Sequence, residues 1–284
     1  METISGSSAP RAATAAASIS CADVTFVDIR VRPTERSGIR QENRHSSLGC
    51  AEESRYERLV MTSEASVELT CTMSRSLLII CFGDSLTAGF QSPTRENPSG
   101  RDTPYGQFLQ SHLGDAVEIR VSGVCGELTG EMVGRFRRDV LDHQPNYVPI
   151  LGGTNDLGWN ASLQDIFDNL ISMYDQVLRM GGLPIPVTIP SIRVEDAAGS
   201  REGQEWVQAH VGRRRQLNQL IQEYADLKGI AYVDLFGATA EPESGELAAN
   251  YSNDGIHLTT VGYRLFAERV AQVLKPLLAG SVQS

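Results

Sequence analysis

The chain has 284 residues, of which 41% are hydrophobic and 21% charged, and its formal net charge at pH 7 is −10. These proportions are those of an ordinary globular protein and exclude a chain that is disordered throughout. An acidic balance argues against broad binding to nucleic acid or to anionic membranes, because phosphate contacts need clustered Lys and Arg. We expect the one dense basic run, Arg213–Arg215, to be a solvated helix face.

Apolar runs and cysteines give further exclusions. No run reaches the roughly 18 residues of a membrane span, and the most apolar one, Leu77 to Phe82, is of strand length. The five cysteines are an odd number without close spacing, which indicates neither a disulfide framework nor a zinc site. Because no secretory signal pattern is present, we expect a cytoplasmic location.

The first 72 residues differ in composition from the rest. They are rich in Ser, Ala, Thr, Arg and Glu, contain no lysine and show little apolar periodicity. We therefore expect residues 1–72 to form a largely disordered extension and residues 73–284 to form the folded domain. Met1 to Ala22 faintly resembles a transit peptide, which would give a mitochondrial location. Translation from Met61 or Met73 is a further alternative, in which the upstream segment is not part of the working protein.

Short apolar runs alternate with segments of helical period from Leu77 onward. This alternation is typical of an α/β protein whose parallel sheet is covered by helices. The predicted strands are nearly all apolar, as expected for strands buried on both faces. The five predicted strands are Leu77–Phe82, Val117–Val121, Tyr147–Leu151, Ile185–Ile189 and Ile230–Leu235.

Five longer segments repeat apolar residues at three- and four-residue spacing, which predicts amphipathic helices. Gly181-Gly182 provides a stop signal after the third of them, and Thr259 or Thr260 is the expected cap of the last. The predicted helices are Tyr105–Leu113, Met132–Leu141, Ile166–Leu178, Trp206–Leu227 and Thr260–Leu278.

A serine lies where the first predicted strand passes into a turn, at Ser85 in the run Phe82–Gly89. A serine hydroxyl needs a base to become a nucleophile, and histidine, with a pKa of about 6.5, suits that task near neutral pH. Of the five histidines, His257 alone follows an aspartate, Asp254, by three residues. A carboxylate at that spacing can reach the imidazole within a turn. The same spacing also fits a capped turn with an ordinary surface histidine, so the pair alone leaves both interpretations open.

Four short blocks follow one another at the ends of predicted strands and before the last helix. They are Gly83–Leu86, Ser122–Thr129, Gly152–Asp156 and Asp254–His257. In order and spacing they resemble the nucleophile, glycine, asparagine and histidine blocks of the SGNH, or GDSL, hydrolases. The resemblance extends over about residues 77–278, which covers nearly all of the expected domain and none of the extension.

This resemblance implies a three-layer α/β/α flavodoxin-like fold with a five-stranded parallel sheet. It implies a serine esterase that hydrolyses carboxyl esters of small or acyl-chain substrates through an acyl-enzyme. Ser85 would be the nucleophile, with Asp254 and His257 completing the triad. No metal or organic cofactor is implied, and the expected partner is a small-molecule ester.

The resemblance also implies an oxyanion hole. Its donors would be the backbone N–H of Ser85, the backbone N–H of Gly126 and the side-chain amide of Asn155. Gly123 competes with Gly126 for the same role. Cys125 departs from the family pattern, and we expect it to affect packing without taking part in the chemistry.

Other polar residues of these loops have ordinary explanations. We expect Asp84 to bond the turn that presents Ser85 and Asp156 to order the loop of Asn155. Four further residues lie in loops at the same edge of the sheet, where they could touch substrate. For each of them we expect an ordinary solvated loop residue instead. They are Arg95, Arg101, Trp159 and Arg193.

Three alternatives compete with the esterase. An acyltransferase would use the same residues, and a non-catalytic binding protein could retain the same fold. Nucleotide binding in a Rossmann-like sheet is disfavoured, because the turn after the first strand offers an acid where a phosphate would lie. The acyl chain length, the leaving group and the oligomeric state are left open by the sequence.

Overall fold

The computed structural model of the protein describes residues 77–95, 98, 100–194 and 200–281. The predicted extension, residues 1–72, lies outside the described residues, as do residues 96, 97, 99 and 195–199 of two predicted loops. Within this part of the chain, no helix combines the length and apolar character that crossing a membrane requires.

A parallel sheet of four strands forms the centre of the described residues, in the order β2-β1-β3-β4. The order corresponds to that of flavodoxin-like sheets, in which ligands bind where the strand order reverses, between β1 and β3. The strands are β1, Leu77–Gly83; β2, Val117–Gly123; β3, Tyr147–Leu151; and β4, Leu183–Pro186.

Eight α-helices connect or follow these strands in the described part of the chain. They are α1, Ser85–Ala88; α2, Tyr105–Leu113; α3, Thr129–Asp139; α4, Thr154–Gly158; α5, Leu163–Arg179; α6, Arg201–Lys228; α7, Leu235–Thr239; and α8, Thr260–Ser281. Helix α2 packs against α8, whereas α3, α5 and α6 form a second packed group. The two groups and the sheet make the expected three-layer α/β/α fold.

The prediction of a fifth strand at Ile230–Leu235 is wrong. Only Val233 pairs with the sheet, through a single bridge to Val187. Its N–H donates to Pro186 O at 2.8 Å, and its carbonyl accepts the N–H of Thr188 at 2.9 Å. The segment therefore lies beside β4 without forming a ladder.

Proline and capping residues explain why this ladder does not extend. Pro184 and Pro186 of β4 have no N–H to donate to a neighbouring strand. On the other side, Asp234 caps α7 by accepting the N–H of Gly237, so the chain turns into a helix directly after Val233. The prolines of β4 and the cap of α7 can each be read from neighbouring residues. The ladder stops because these two segments lie side by side in the folded chain.

The apolar strands bury their side chains under helices on both faces. On one face Phe82 meets Phe136 edge-on, with ring centroids 5.0 Å apart. Elsewhere in the core, Tyr105 of α2 stacks on Phe266 of α8 at 3.8 Å. The pairing register ends β1, β2 and β3 at the same level, with Gly83 beside Gly123 and Leu151. The loops after these three strands therefore leave the sheet side by side.

Candidate active site

The turn after β1 presents Ser85 at the sheet edge. Asp84 caps the short helix α1, and its Oδ1 accepts the N–H of Leu86 at 3.0 Å. At the other end of α1, the N–H of Gly89 donates to Ser85 O at 3.0 Å. Ser85 is itself buried apart from a small exposed surface. The strand and the capped turn together hold its hydroxyl in one place.

Asp254 and His257 form a hydrogen-bonded pair beside this serine. His257 Nδ1 lies 2.8 Å from Asp254 Oδ2, and His257 Nε2 lies 3.1 Å from Ser85 Oγ. The other carboxylate oxygen of Asp254 accepts the backbone N–H groups of Ile256 and His257 at 2.9 and 2.7 Å. The three-residue spacing thus forms a turn in which one carboxylate holds both the backbone and the imidazole.

Hydrogen bonding keeps Asp254 ionised. Burial acts to raise the pKa of its carboxyl group, but hydrogen bonds from His257, Ser92 and the N–H of Ile256 outweigh it. The net result is a pKa of Asp254 well below its ordinary value. A charged carboxylate at this position orients the imidazole so that Nε2 can accept a proton from Ser85.

Residues 90–92 brace this pair from the side of the serine, a contribution that the sequence did not indicate. The Phe90 ring packs edge-on against His257, with centroids 4.6 Å apart. The Ser92 hydroxyl donates to the same oxygen of Asp254 that binds His257. Between them, Gln91 exchanges hydrogen bonds with Thr260 at 3.0 and 3.1 Å. Residues 90–92, which follow Ser85 in sequence, therefore also hold His257, which lies beside Ser85 in space.

The glycine and asparagine blocks meet next to this pair of loops. The Asn155 side chain donates through Nδ2 to the backbone oxygen of Glu127 at 2.9 Å. The Asp156 carboxylate accepts the backbone N–H of Thr129 at 3.0 Å and its hydroxyl at 2.7 Å. Asp156 thus orders this junction, as expected for a structural acid.

The two candidate glycines of the glycine block have different surroundings. A Cβ at Gly123 would lie 2.2 Å from the backbone nitrogen of Ala88, so close packing of β2 against α1 requires glycine there. Gly126 has a φ of +77°, and a Cβ placed on it meets nothing within 4 Å. Gly126 therefore lies in a loop with room around it, whereas Gly123 is fixed in the packing of β2 against α1.

Asp84 is a buried acid beside the nucleophile. Burial raises its pKa to about 7, although the hydrogen bond from Leu86 and the charge of His257 act in the opposite direction. Among the described residues, no group hydrogen-bonds to its Oδ2. Its geometry is that of a helix cap and not of a base for Ser85.

The four loop residues considered as substrate contacts differ in their surroundings. Arg95 and Arg101 are exposed, and Trp159 is 74% exposed directly after α4. Arg193 instead braces the loop of Asp254. Its backbone N–H donates to Gly255 O at 2.9 Å, and its side-chain Nη2 donates to Ser252 O at 3.0 Å. In the described part of the chain, no three His, Cys, Asp or Glu side chains are grouped as metal ligands.

This arrangement of loops can be compared with known proteins. The model of the GDSL-like lipase/acylhydrolase family matches residues 81–265. The chain belongs to this family. The match includes all four blocks.

Solved structures share the fold, and one curated relative is similar over part of the sequence. A lipase/acylhydrolase from Enterococcus faecalis superposes with a TM-score of 0.54 at 24% identity, covering 70% of this chain and 96% of that one. A carbohydrate acetylesterase from Sinorhizobium meliloti gives 0.54 at 21%, covering 71% and 99%. An uncharacterized lipoprotein, YqeF, of Bacillus subtilis (strain 168) is 31% identical over 121 residues. That alignment covers 40% of this chain and about half, 49%, of the relative.

Proposed function

We propose that this protein is a serine esterase that hydrolyses carboxyl esters through a covalent acyl-enzyme. Ser85 is the nucleophile, His257 the general base and Asp254 the group that orients His257. The observation that carries the proposal is the unbroken hydrogen-bond chain from Ser85 Oγ through His257 to Asp254, with distances of 3.1 and 2.8 Å. A nucleophile, its base and an orienting acid in hydrogen-bond reach are the arrangement this chemistry requires.

The reaction proceeds in two halves. His257 Nε2 takes the proton of Ser85 as Oγ attacks the ester carbonyl, and the resulting imidazolium is stabilised by the Asp254 carboxylate. His257 then gives the proton to the leaving alcohol, which departs as the acyl-enzyme forms. Water attacks the acyl-enzyme with His257 again acting as base, and the acid and free Ser85 are released.

The oxyanion of each tetrahedral intermediate is bound by three donors: the N–H groups of Ser85 and Gly126 and the Asn155 amide. The Asn155 amide carries two N–H bonds. Its hydrogen bond to Glu127 O uses one of them, which leaves the other to point at the reacting carbonyl. Removal of one such donor typically costs about 2.7–4 kcal/mol of barrier.

The substrate is a small or acyl-chain carboxyl ester. A panel of p-nitrophenyl esters of increasing chain length, together with an acetylated sugar, measures the preferred acyl group. Product analysis in the presence of added alcohols separates hydrolysis from acyl transfer, because a transferase forms a new ester where an esterase releases the acid.

The mechanism is tested on the full chain with p-nitrophenyl acetate. We expect Ser85→Ala and His257→Ala each to lower kcat by about a factor of 10⁴ or more, as for triads in general. Ser111→Ala and His112→Ala are matched controls, because both residues are exposed on α2, outside the site, and should retain full activity. Equal rates in Ser85→Ala and the unmodified protein would overturn the proposal.

A further inference from the structure

The guanidinium of Arg135, on α3, is buried beneath the candidate site, with its side chain 9% exposed. Its Nε donates to the Glu127 carboxylate at 2.7 Å, and its Nη2 to the same carboxylate at 2.6 Å. The Nη2 also donates to Gly83 O at 2.9 Å. Its Nη1 donates to Ser122 Oγ at 2.6 Å and to Asp139 at 2.9 Å. All five N–H bonds of the fork therefore have acceptors.

Three of these acceptors lie at the ends of β1 and β2 and in the loop after β2, and the fourth, Asp139, is on α3 itself. Gly83 ends β1 two residues before Ser85, Ser122 lies at the end of β2, and Glu127 follows Gly126. The Arg135 guanidinium also lies 4.1 Å over the Phe82 ring, which fixes its plane. One planar group thus joins the end of the nucleophile strand to the glycine loop.

Glu127 extends this connection to the asparagine block. Its carboxylate binds Arg135, whereas its backbone oxygen accepts the Asn155 amide. The position of Glu127 therefore sets the direction of the Asn155 side chain. Because Glu127 directly follows Gly126, an anchored Glu127 also restricts the positions that the Gly126 N–H can take.

A gain in folding stability is a weak explanation for the buried ion pairs of Arg135. Buried ion pairs can often be replaced by apolar residues of similar volume at little cost in stability, because desolvation offsets much of their attraction. A rigid fork with five donors does, however, hold several loops in one relative geometry, which an apolar side chain cannot do.

We propose that Arg135 is a positioning residue of the oxyanion hole, acting through Glu127 on the Gly126 N–H and the Asn155 amide. It touches neither substrate nor Ser85. This inference rests on the proposed esterase function, since the hole has a purpose only if an oxyanion forms.

The test compares Arg135→Met, which removes the fork but keeps an apolar stem, with Arg138→Met on the same helix. Arg138 is a matched control because its side chain is 66% exposed and pairs with the same Asp139. With p-nitrophenyl acetate we expect Arg135→Met to lower kcat by about tenfold to a hundredfold, since misplacement by about 1 Å has that effect, while KM stays within about twofold. Arg138→Met should retain kcat and KM.

A double-mutant cycle separates positioning from a general structural effect. If Arg135 acts through the Asn155 amide, the loss caused by Asn155→Ala should be several-fold smaller in the Arg135→Met background than in the unmodified protein. Fully multiplicative losses, or a lowered Tm with unchanged kcat in Arg135→Met, overturn the inference.

A second variant covers the case in which Arg135→Met does not fold. Glu127→Gln keeps the size of the side chain and the backbone carbonyl but removes the charge that holds the Arg135 guanidinium. A double-mutant cycle of Glu127→Gln with Asn155→Ala then tests whether the losses are multiplicative. The two proposals fail separately. Activity retained in Ser85→Ala removes the esterase mechanism, whereas loss of activity in Ser85→Ala with multiplicative Arg135 and Asn155 effects removes only the positioning by Arg135.

Discussion

The two sides of the candidate site are built differently. On the acid–base side, the side chains of His257 and Asp254 are 22% and 27% exposed, and Asp254 accepts backbone N–H groups within the turn that the two residues share. On the oxyanion side, the side chains of Arg135, Glu127 and Asp139 are 9%, 8% and 1% exposed. There one guanidinium and two carboxylates join the end of β1 to the loop after β2.

This difference shows what each side needs. In the proposed mechanism the imidazole exchanges protons with the substrate and with water, which fits its position at the surface beside one orienting carboxylate. The proposed oxyanion donors would act by being fixed before charge develops, and burial in a charged network would fix them. A change on the exposed side should therefore alter protonation, whereas a change on the buried side should alter geometry.

The largest expected effect lies on the acid–base side. Asp254→Asn should lower kcat for p-nitrophenyl acetate by about 10⁴-fold, because an amide in place of the carboxylate favours the wrong imidazole tautomer. The protein should stay folded, and Asp142→Asn, at an exposed acid, should leave kcat unchanged. A loss of less than tenfold in Asp254→Asn would show that orientation by this acid is dispensable.

Asn155→Ala probes the oxyanion side. We expect kcat to fall by about a hundredfold or more, with KM little changed, because the amide binds charge that exists only in the transition state. Steady-state kinetics over a range of substrate concentrations separates the two constants. A rise in KM at constant kcat would instead make Asn155 a ground-state contact.

Ser92→Ala is a milder change on the exposed side, and we expect kcat/KM at neutral pH to fall by about twofold to fivefold. Without the Ser92 hydrogen bond the pKa of Asp254 rises toward its ordinary value, and the carboxylate that orients the imidazole is held less firmly. Steady-state kinetics with p-nitrophenyl acetate at pH 7 measures the fall.

The matched control is Ser92→Thr, which keeps the hydroxyl and should keep the kcat/KM of the unmodified protein. An unchanged kcat/KM in Ser92→Ala would show that the Ser92 hydroxyl is dispensable for the orientation of Asp254.

The smallest expected effect on turnover comes from Asp84, where the measurable change is in stability. Its folded-state pKa of about 7 lies above the unfolded value, so the folded protein binds this proton more tightly. The stabilisation from this group is complete at low pH and is lost as the pH rises from about 4 to 7.

Asp84→Asn removes that loss while keeping a side chain that caps helices well. We expect the variant to gain about 4 kcal/mol in free energy of unfolding at pH 8, relative to the unmodified protein, because each of the roughly three pKa units contributes about 1.4 kcal/mol, and to gain nothing at pH 4. Urea unfolding at the two pH values measures this difference. Parallel curves for the two proteins would show that Asp84 does not titrate in this window.

Features that depend on neighbours in sequence were predictable. Helix α2 has the predicted bounds Tyr105–Leu113, because its apolar spacing and flanking residues define it locally. Thr259 caps α8 as expected, with its Oγ1 accepting the N–H of Gly262 at 3.3 Å. The turn of Asp254 and His257 follows from a spacing of three residues, and the cap by Asp84 from its position before α1.

Features that depend on distant partners were not predictable. The segment of Val233 has the composition of a strand, but its neighbour β4 carries prolines and the chain enters α7 at once. In the sequence Ser92 is an ordinary loop serine, and its bond to Asp254 becomes evident only in the folded chain. Arg135 reads as one of several polar residues on an amphipathic helix, and its spacing of eight residues from Glu127 carries no recognisable signal.

Sequence patterns alone predict the alternation of strands and helices, the serine turn, the Asp254–His257 turn and, through four blocks in order, the family. Such features arise from apolar periodicity and from hydrogen bonds across three or four residues, both of which are written into adjacent positions. Only the tertiary structure brought Ser85 to His257, 172 residues away, and enclosed Arg135 among its acceptors. Those contacts form because parallel strands end at one edge in register, a property of the assembled sheet and not of any single segment.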